Sequence, residues 1–264
     1  MLDFKIIIND QLPQQLCSEH GLAIWCTVSE PNGTLRHILL DTGQHEPTLI
    51  HNAQALGIDL SQTDYVVVSH GHYDHSGGLG ALQSMAPSAK VFVGPDAERR
   101  RFSVQMSQPT DGRKRMMKPI GMPRPELLDQ MDVVRVTNCL TVSPCLTIFS
   151  LCQPAPANQR LLAADGASPD TFTDEIFALI SDGQSNLLYG GCTHSGILPL
   201  LRRTQELNLG PIDHFVGGLH LKGRPAAEVE TQALAAKPFG VAHWHLLHCT
   251  GDEASAIWLR IMNQ

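Results

Sequence analysis

The sequence predicts an α+β protein in which two β-sheets are flanked by helices. Short apolar runs rich in β-branched residues, bounded by turn residues, recur along the chain, and helical periodicity fills some of the gaps between them. The strands come first in hairpin-like succession and later alternate with helices, an order that suits two sheets with outer helices. The 264 residues suffice for one large core. With no internal repeat to divide the chain, 1–264 reads as a single domain.

In chain order, strands are expected at Phe4–Ile8, Leu22–Val28, His37–Leu40, Tyr65–Ser69 and Lys90–Val93. They continue at Val133–Thr137, Leu146–Ser150, Glu175–Ile180, Asn186–Tyr189, His214–Val216 and Val241–His243. Most of these runs are too short for a helix. Between Glu175–Ile180 and Asn186–Tyr189 the stretch Ser181-Asp182-Gly183-Gln184 predicts a hairpin, because Asp-Gly suits a tight turn. Helices are expected at Glu46–Leu56, where Gly57 stops the pattern, and at Gly77–Met85, Ile197–Leu207, Pro225–Ala236 and Asp252–Met262, where Asp252 can cap. From Pro95 to Thr171 the chain is rich in Pro and Met with weak periodicity, and it reads as an inserted lobe covering the site.

Composition narrows the function. Hydrophobic residues make up 42% and charged residues 17%, as in a globular protein. The start MLDFKIIIND lacks the basic opening and small-residue cleavage site of a secretory signal, and no apolar stretch approaches the roughly 20 residues of a membrane helix. Seven cysteines, an odd number without framework spacing, fit free thiols in a reducing compartment. A cytoplasmic protein without membrane partners is expected. The net charge of −7 argues against nucleic acid as a partner, yet the segment Gly94–Arg124 holds eight basic residues against three acidic ones, leaving −12 elsewhere. That segment can hold an anion or be a solvated loop; both readings stand.

The chemistry concentrates in Tyr65–Leu79. A buried strand leads into a loop with three histidines and an aspartate within six residues: His70, His72, Asp74 and His75. Imidazole nitrogen and carboxylate oxygen are preferred ligands of zinc and similar divalent ions. His70 and His72 project to one side of an extended chain. Asp74 and His75, past the turn, can reach a second position. Gly77 and Gly78 lead into a helix whose N-terminal dipole could stabilise an anion beside the metals.

The string His-x-His-x-Asp-His after a strand resembles the hallmark of the metallo-β-lactamase superfamily. Asp41-Thr42-Gly43 resembles its first motif, whose aspartate orients the metal loop by hydrogen bonds. Glu19-His20-Gly21-Leu22, Ser69–Leu79, Gly191–Ile197, Gly217–Leu221 and His248–Gly251 together are similar to one branch, whose members are named 7,8-dihydropterin-6-yl-methyl-4-(β-D-ribofuranosyl)aminobenzene 5′-phosphate synthase. The resemblance implies a four-layer αββα sandwich holding two divalent metal ions, zinc or else manganese or iron. It implies His194 and His248 as further ligands, Cys192 competing with His194 for the role, and Asp41, His20 and His220 as supporting or substrate-binding residues. His243 and His245, alternating around Trp244, read as structural. His37, His45, His51 and His214 have no chemical context.

The expected function is hydrolysis of a small anionic substrate, a phosphate ester, by a metal-bound hydroxide, with Asp74 as ligand and proton partner. The alternative is a synthase condensing a pterin with an aminobenzene ribosyl phosphate. Oligomeric state is not legible.

Overall fold

The computed structural model describes residues 1–106, 115–158 and 160–264. The first half of the chain builds a six-stranded sheet. It opens with β1 (Leu2–Ile8), β2 (Ala23–Ser29) and β3 (Leu35–Leu40), an antiparallel meander, then adds β4 (Tyr65–Val67) and β5 (Lys90–Val93) in parallel. Helices α1 (Glu46–Ala55), α2 (Tyr73–Ser76) and α3 (Leu79–Met85) provide the crossovers. After a small antiparallel pair, β6 (Phe102–Met106) and β7 (Arg115–Pro119), strand β8 (Asp132–Arg135) closes the sheet in the order β1-β2-β3-β4-β5-β8.

The second half repeats the plan. Strands β9 (Cys139–Ser143), β10 (Leu146–Ser150), β12 (Ile176–Ser181) and β13 (Asn186–Gly190) run antiparallel in turn, with β11 (Leu161–Leu162) crossing to the small sheet beside β6. Then β14 (His214–Gly217) and β15 (His243–Leu246) join in parallel, linked by α4 (Ile197–Glu206) and α5 (Ala226–Ala236), and α6 (Asp252–Met262) ends the chain. The Asp182-Gly183 hairpin forms: Gly183 takes φ 84°, and Asp182 Oδ1 accepts from Gln184 N and Ser185 N at 2.9 and 2.8 Å.

Strand alternation sets the layers. Ile24, Ile38, Leu40, Val67 and Phe92 face Ile148, Ala178, Leu187 and Val216 across the two sheets. Their sequence neighbours Trp25, Leu39 and Val66 point outward onto Leu49 of α1 and Leu82 of α3. On the other side Phe177, Leu188 and Phe215 meet Leu200 of α4, Val229 of α5 and Trp258 of α6. The result is the expected four-layer αββα sandwich. No helix among the described residues is long and apolar enough to cross a membrane.

Three expectations need correction. The lobe is narrower than 95–171, because β8, β9 and β10 within that span belong to the two main sheets; only the parts around β6, β7 and β11 stand outside them. The weak periodicity there reflected short strands with exposed edges. Asp252 does not cap α6: Gly251 holds the N-cap position and Asp252 accepts from Gln11 Nε2 at 3.0 Å. The last strand lies at His243–Leu246, not Val241–His243, since pairing with β14 sets its register.

Candidate metal centre

The site lies at the carboxyl ends of the strands, where both halves of the molecule meet. Asp41 follows β3, His70 follows β4, Cys192 and His194 follow β13, His220 follows β14 and His248 follows β15. Chain leaving a parallel strand must turn away at this edge, and such edges are where side chains from several strands converge.

Five clusters of potential ligand atoms result among the described residues, two of them built on the His70–His75 loop without a cysteine. His70, His72 and His194 place one ring nitrogen each within 4.8 Å of one another, and so do Asp74, His75 and His248 with a carboxylate oxygen and two imidazoles. His70 Nε2, His72 Nε2, His194 Nε2 and Asp74 Oδ1 are buried without a hydrogen-bond partner. Four such orphaned polar atoms in one spot would be costly. A cation among them removes the cost, so the residues present fit divalent metal ions. Burial, reinforced by neighbouring imidazoles, pushes His70 and His194 far below the usual histidine range, and burial takes His72 down to about 3. Neutral rings with free lone pairs are what a metal requires.

The second group is more ionic. Burial would raise the Asp74 carboxyl, but the His75 charge and bonds from His20 and His248 outweigh it and hold it well below the carboxylate range. His20 Nε2 lies 3.1 Å and His248 Nε2 3.4 Å from Asp74 Oδ2. Against its burial, Asp10 and Asp74 push His248 up to about 10; their hydrogen bonds, the largest cause, push His20 up to about 9. A cation at this group therefore displaces a proton, and its uptake tightens as pH rises.

A second layer fixes these rings. Asp41, at φ 56°, accepts from Ser69 N at 2.6 Å, Ser69 Oγ at 2.7 Å and Tyr189 Oη at 2.6 Å, and bonds His75 Nδ1. This leaves His75 Nε2 facing the site. Asp10 bonds His248 Nδ1 at 2.6 Å and does the same for that ring. Glu175, its carboxyl pushed up to about 7 by burial, accepts from His194 N at 2.6 Å and Ser195 N at 2.9 Å and shapes the loop carrying His194. Replacing Asp41 with Asn is expected to weaken metal affinity about 10–100-fold, measured by competition with a chromophoric chelator; unchanged affinity would remove Asp41 from this role.

His20, Asp41, His70, His72, Asp74, His75, Cys192, His194, His220 and His248 lie together here. His20 reaches Asp74, His220 lies 4.5 Å ring to ring from His194, and Cys192 Sγ lies 3.2 Å from His75 Nε2. His194 groups with His70 and His72, whereas Cys192 groups with His70 and His75, so the two do not compete for one place. His243 and His245 share a face, as expected, with His214 Nδ1 3.2 Å from His245 Nε2, away from this cluster.

Sequence reading missed Asp10, Phe172, Asp174, Glu175 and Tyr189. The run Asp170-Thr171-Phe172-Thr173-Asp174-Glu175 was the available signal, since two acidic residues just before a buried strand call for partners. Phe172 stacks on His194 at 3.8 Å and takes φ 49°. Phe172, Thr193, His220 and His248 all hold positive φ at this site, backbone strain that bulky or branched residues rarely carry without a local requirement.

Part of the basic segment, and the turn ahead of α3, are engaged within the protein. Arg99 and Arg101 turn inward and pair with Asp170 and Asp174, and the side chain of Arg101 is fully buried. Arg113 and Lys114 lie outside the described residues. Ahead of α3, Gly78 N donates to Thr42 Oγ1 at 3.1 Å and Gly77 N to Gly43 O at 2.9 Å.

Residues 21–101 match the family model of the Metallo-beta-lactamase superfamily. Among solved structures, a metal-dependent hydrolase of the beta-lactamase superfamily superposes with a TM-score of 0.80 at 24% identity, covering 99% of this chain and 93% of that one. The chain thus has the metallo-β-lactamase fold, and its residues 21–101 match that superfamily's model. It is 24% identical over 261 residues, 92% of this chain and 84% of the relative, to the 7,8-dihydropterin-6-methyl-4-(beta-D-ribofuranosyl)-aminobenzene-5'-phosphate synthase of Methanocaldococcus jannaschii. An uncharacterized protein of the same archaeon is 25% identical over 228 residues, 83% of this chain and 79% of that protein.

Proposed function

We propose that the protein is a metal-dependent hydrolase of a small anionic substrate, a phosphate ester. The carrying observation is the pair of three-residue ligand groups with their orphaned buried atoms, one member of which, His194, lines a cavity. His70, His72 and His194 would hold one divalent ion and Asp74, His75 and His248 the other. Bound there, the ions supply Lewis acidity toward the substrate oxygen and lower the pKa of water.

The chain's own residues supply the rest. Asp74, with Oδ2 engaged by His20 and His248 and Oδ1 unpartnered, would serve both as ligand and as the carboxylate that takes up the proton of the attacking water. A cavity of about 380 Å³ adjoins His194, lined by Phe172, His220, Arg224, Glu228 and Gln232 among others. His220 Nδ1, buried and unpartnered, is placed to donate a proton to the leaving oxygen. Arg224 supplies positive charge for the substrate's anionic end; its contact with Glu228, 3.6 Å, is loose enough to yield. Phe172 and the Pro156–Asn158 stretch line the cavity's other side.

Arg224→Ala is expected to raise KM about tenfold with kcat little changed, because this contact holds substrate and reacting group alike. An equal fall in kcat would place Arg224 in the transition state instead. The general test is metal analysis followed by a screen of phosphomonoesters, phosphodiesters, lactones and thioesters. Turnover of a phosphate ester supports the reading, and activity confined to the other classes removes it.

The synthase relationship favours a second reading, in which the same site condenses a dihydropterin with an aminobenzene ribosyl phosphate. Pterin-dependent release of phosphate or pyrophosphate, absent without the aminobenzene partner, would select it.

A further inference from the structure

The two ligand groups share no member. His70, His72 and His194 form one, Asp74, His75 and His248 the other. Two cations clamp a reacting group when held roughly 3.5–4 Å apart, and a ligand touching both would fix that spacing. Asp41 cannot serve, because its oxygens are taken by Ser69, Tyr189 and the Nδ1 side of His75, the ring edge turned away from the site. Among the described residues, one cluster combines a member of each group with a third ligating side chain: His70, His75 and Cys192. Cys192 Sγ lies 3.2 Å from His75 Nε2, and the residue is 3% exposed.

We propose that the Cys192 sulfur is the shared ligand of the two ions, a thiolate bridge between the His70 and His75 groups. The inference rests on the two-ion reading above. A single sulfur atom carries enough lone pairs to touch two cations, and the backbone holds it there. Gly191, one residue earlier, packs so closely on the metal loop that a Cβ would come within 2.1 Å of Ser69 Oγ. On binding, the thiol loses its proton to solvent and no electron changes hands. A thiolate bridge selects zinc, cobalt(II) or iron(II) over magnesium.

Cys249 is the internal control. It is the neighbouring thiol, yet it groups with Cys192 and His220 and with no member of either triad, its sulfur accepting from His220 N at 3.3 Å.

The test is titration of the metal-free full chain with cobalt(II), read by equilibrium dialysis and near-ultraviolet absorption. Two equivalents are expected to bind, with thiolate-to-cobalt charge-transfer absorption growing through both. Cys192→Ser should lose that absorption and bind the second equivalent at least about tenfold more weakly, while Cys249→Ser keeps both. Two equivalents without the absorption, or absorption rising with one equivalent only, overturns the bridge and leaves the two-ion reading intact. Absorption that survives Cys192→Ser and vanishes in Cys249→Ser does the same. Fewer than two equivalents in the unmodified chain overturns both. The unmodified chain alone decides the matter should a variant fail to fold.

Discussion

Replacing His72 and Asp74 together with alanine is expected to abolish metal binding and lower turnover by at least about 10³-fold, while the protein stays folded. The expectation follows from where the two atoms sit. His72 belongs to one ligand group and Asp74 to the other, so the double change leaves each with two members. His72 Nε2 and Asp74 Oδ1 have no partner within the protein, so the cost to the fold is confined to the Asp74 Oδ2 contacts with His20 and His248, both of which keep Asp10 as a partner. The His72 main-chain carbonyl, which accepts from Ser76 Oγ at 2.7 Å, survives the substitution. Elemental analysis, turnover and thermal melting would be measured side by side. Full metal content with undiminished turnover would end the enzymatic reading.

Arg101→Met carries the second large effect, and it strikes stability first. The guanidinium donates from Nε to Asp170 Oδ2 at 2.7 Å and to the Ala97 carbonyl at 3.0 Å, and faces Asp174 Oδ1 at 2.5 Å. Removing it leaves two buried carboxylates with the partly exposed Arg99 as their remaining cation, and Asp174 is already pushed up by its burial. Loss of one partner from a buried ion pair costs about 3–5 kcal/mol, a fall in Tm of roughly 10 °C for a chain of this size. Arg101→Met combined with Asp170→Asn and Asp174→Asn should recover part of the loss, since the uncompensated charge is then gone. A single variant as stable as the parent would show that the network contributes nothing. The site would be affected as well, because Asp174 Oδ2 accepts from Gly71 N at 2.8 Å, between His70 and His72. Gly71 has no room to shift: a Cβ there would lie 1.7 Å from the Ala97 carbonyl oxygen.

Much of this was legible in the residues because it rests on local pattern. The ligand loop announces itself by spacing, and α6 and β5 fall where periodicity places them. The strands of the lobe were not legible, since β6, β7 and β11 are short and pair only with one another. The burial of Arg99 and Arg101 was equally hidden. A basic run reads as solvated surface until its counter-charges are known, and Asp170 and Asp174 are about seventy residues away in sequence. Asp10 escaped notice for the same reason, since its partner His248 lies at the far end of the chain.

The mirrored plan of the two sheets has a mechanical corollary. His70 and His72 come from the leading half-molecule and His194 from the trailing one; Asp74 and His75 pair likewise with His248. An ion seated in either trio would act as a rivet across the seam, so prying the halves apart must first evict it. At a free-ion concentration a hundred times its Kd, each rivet would add about 2.7 kcal/mol against separation, so that chelators should soften the protein as well as silence it.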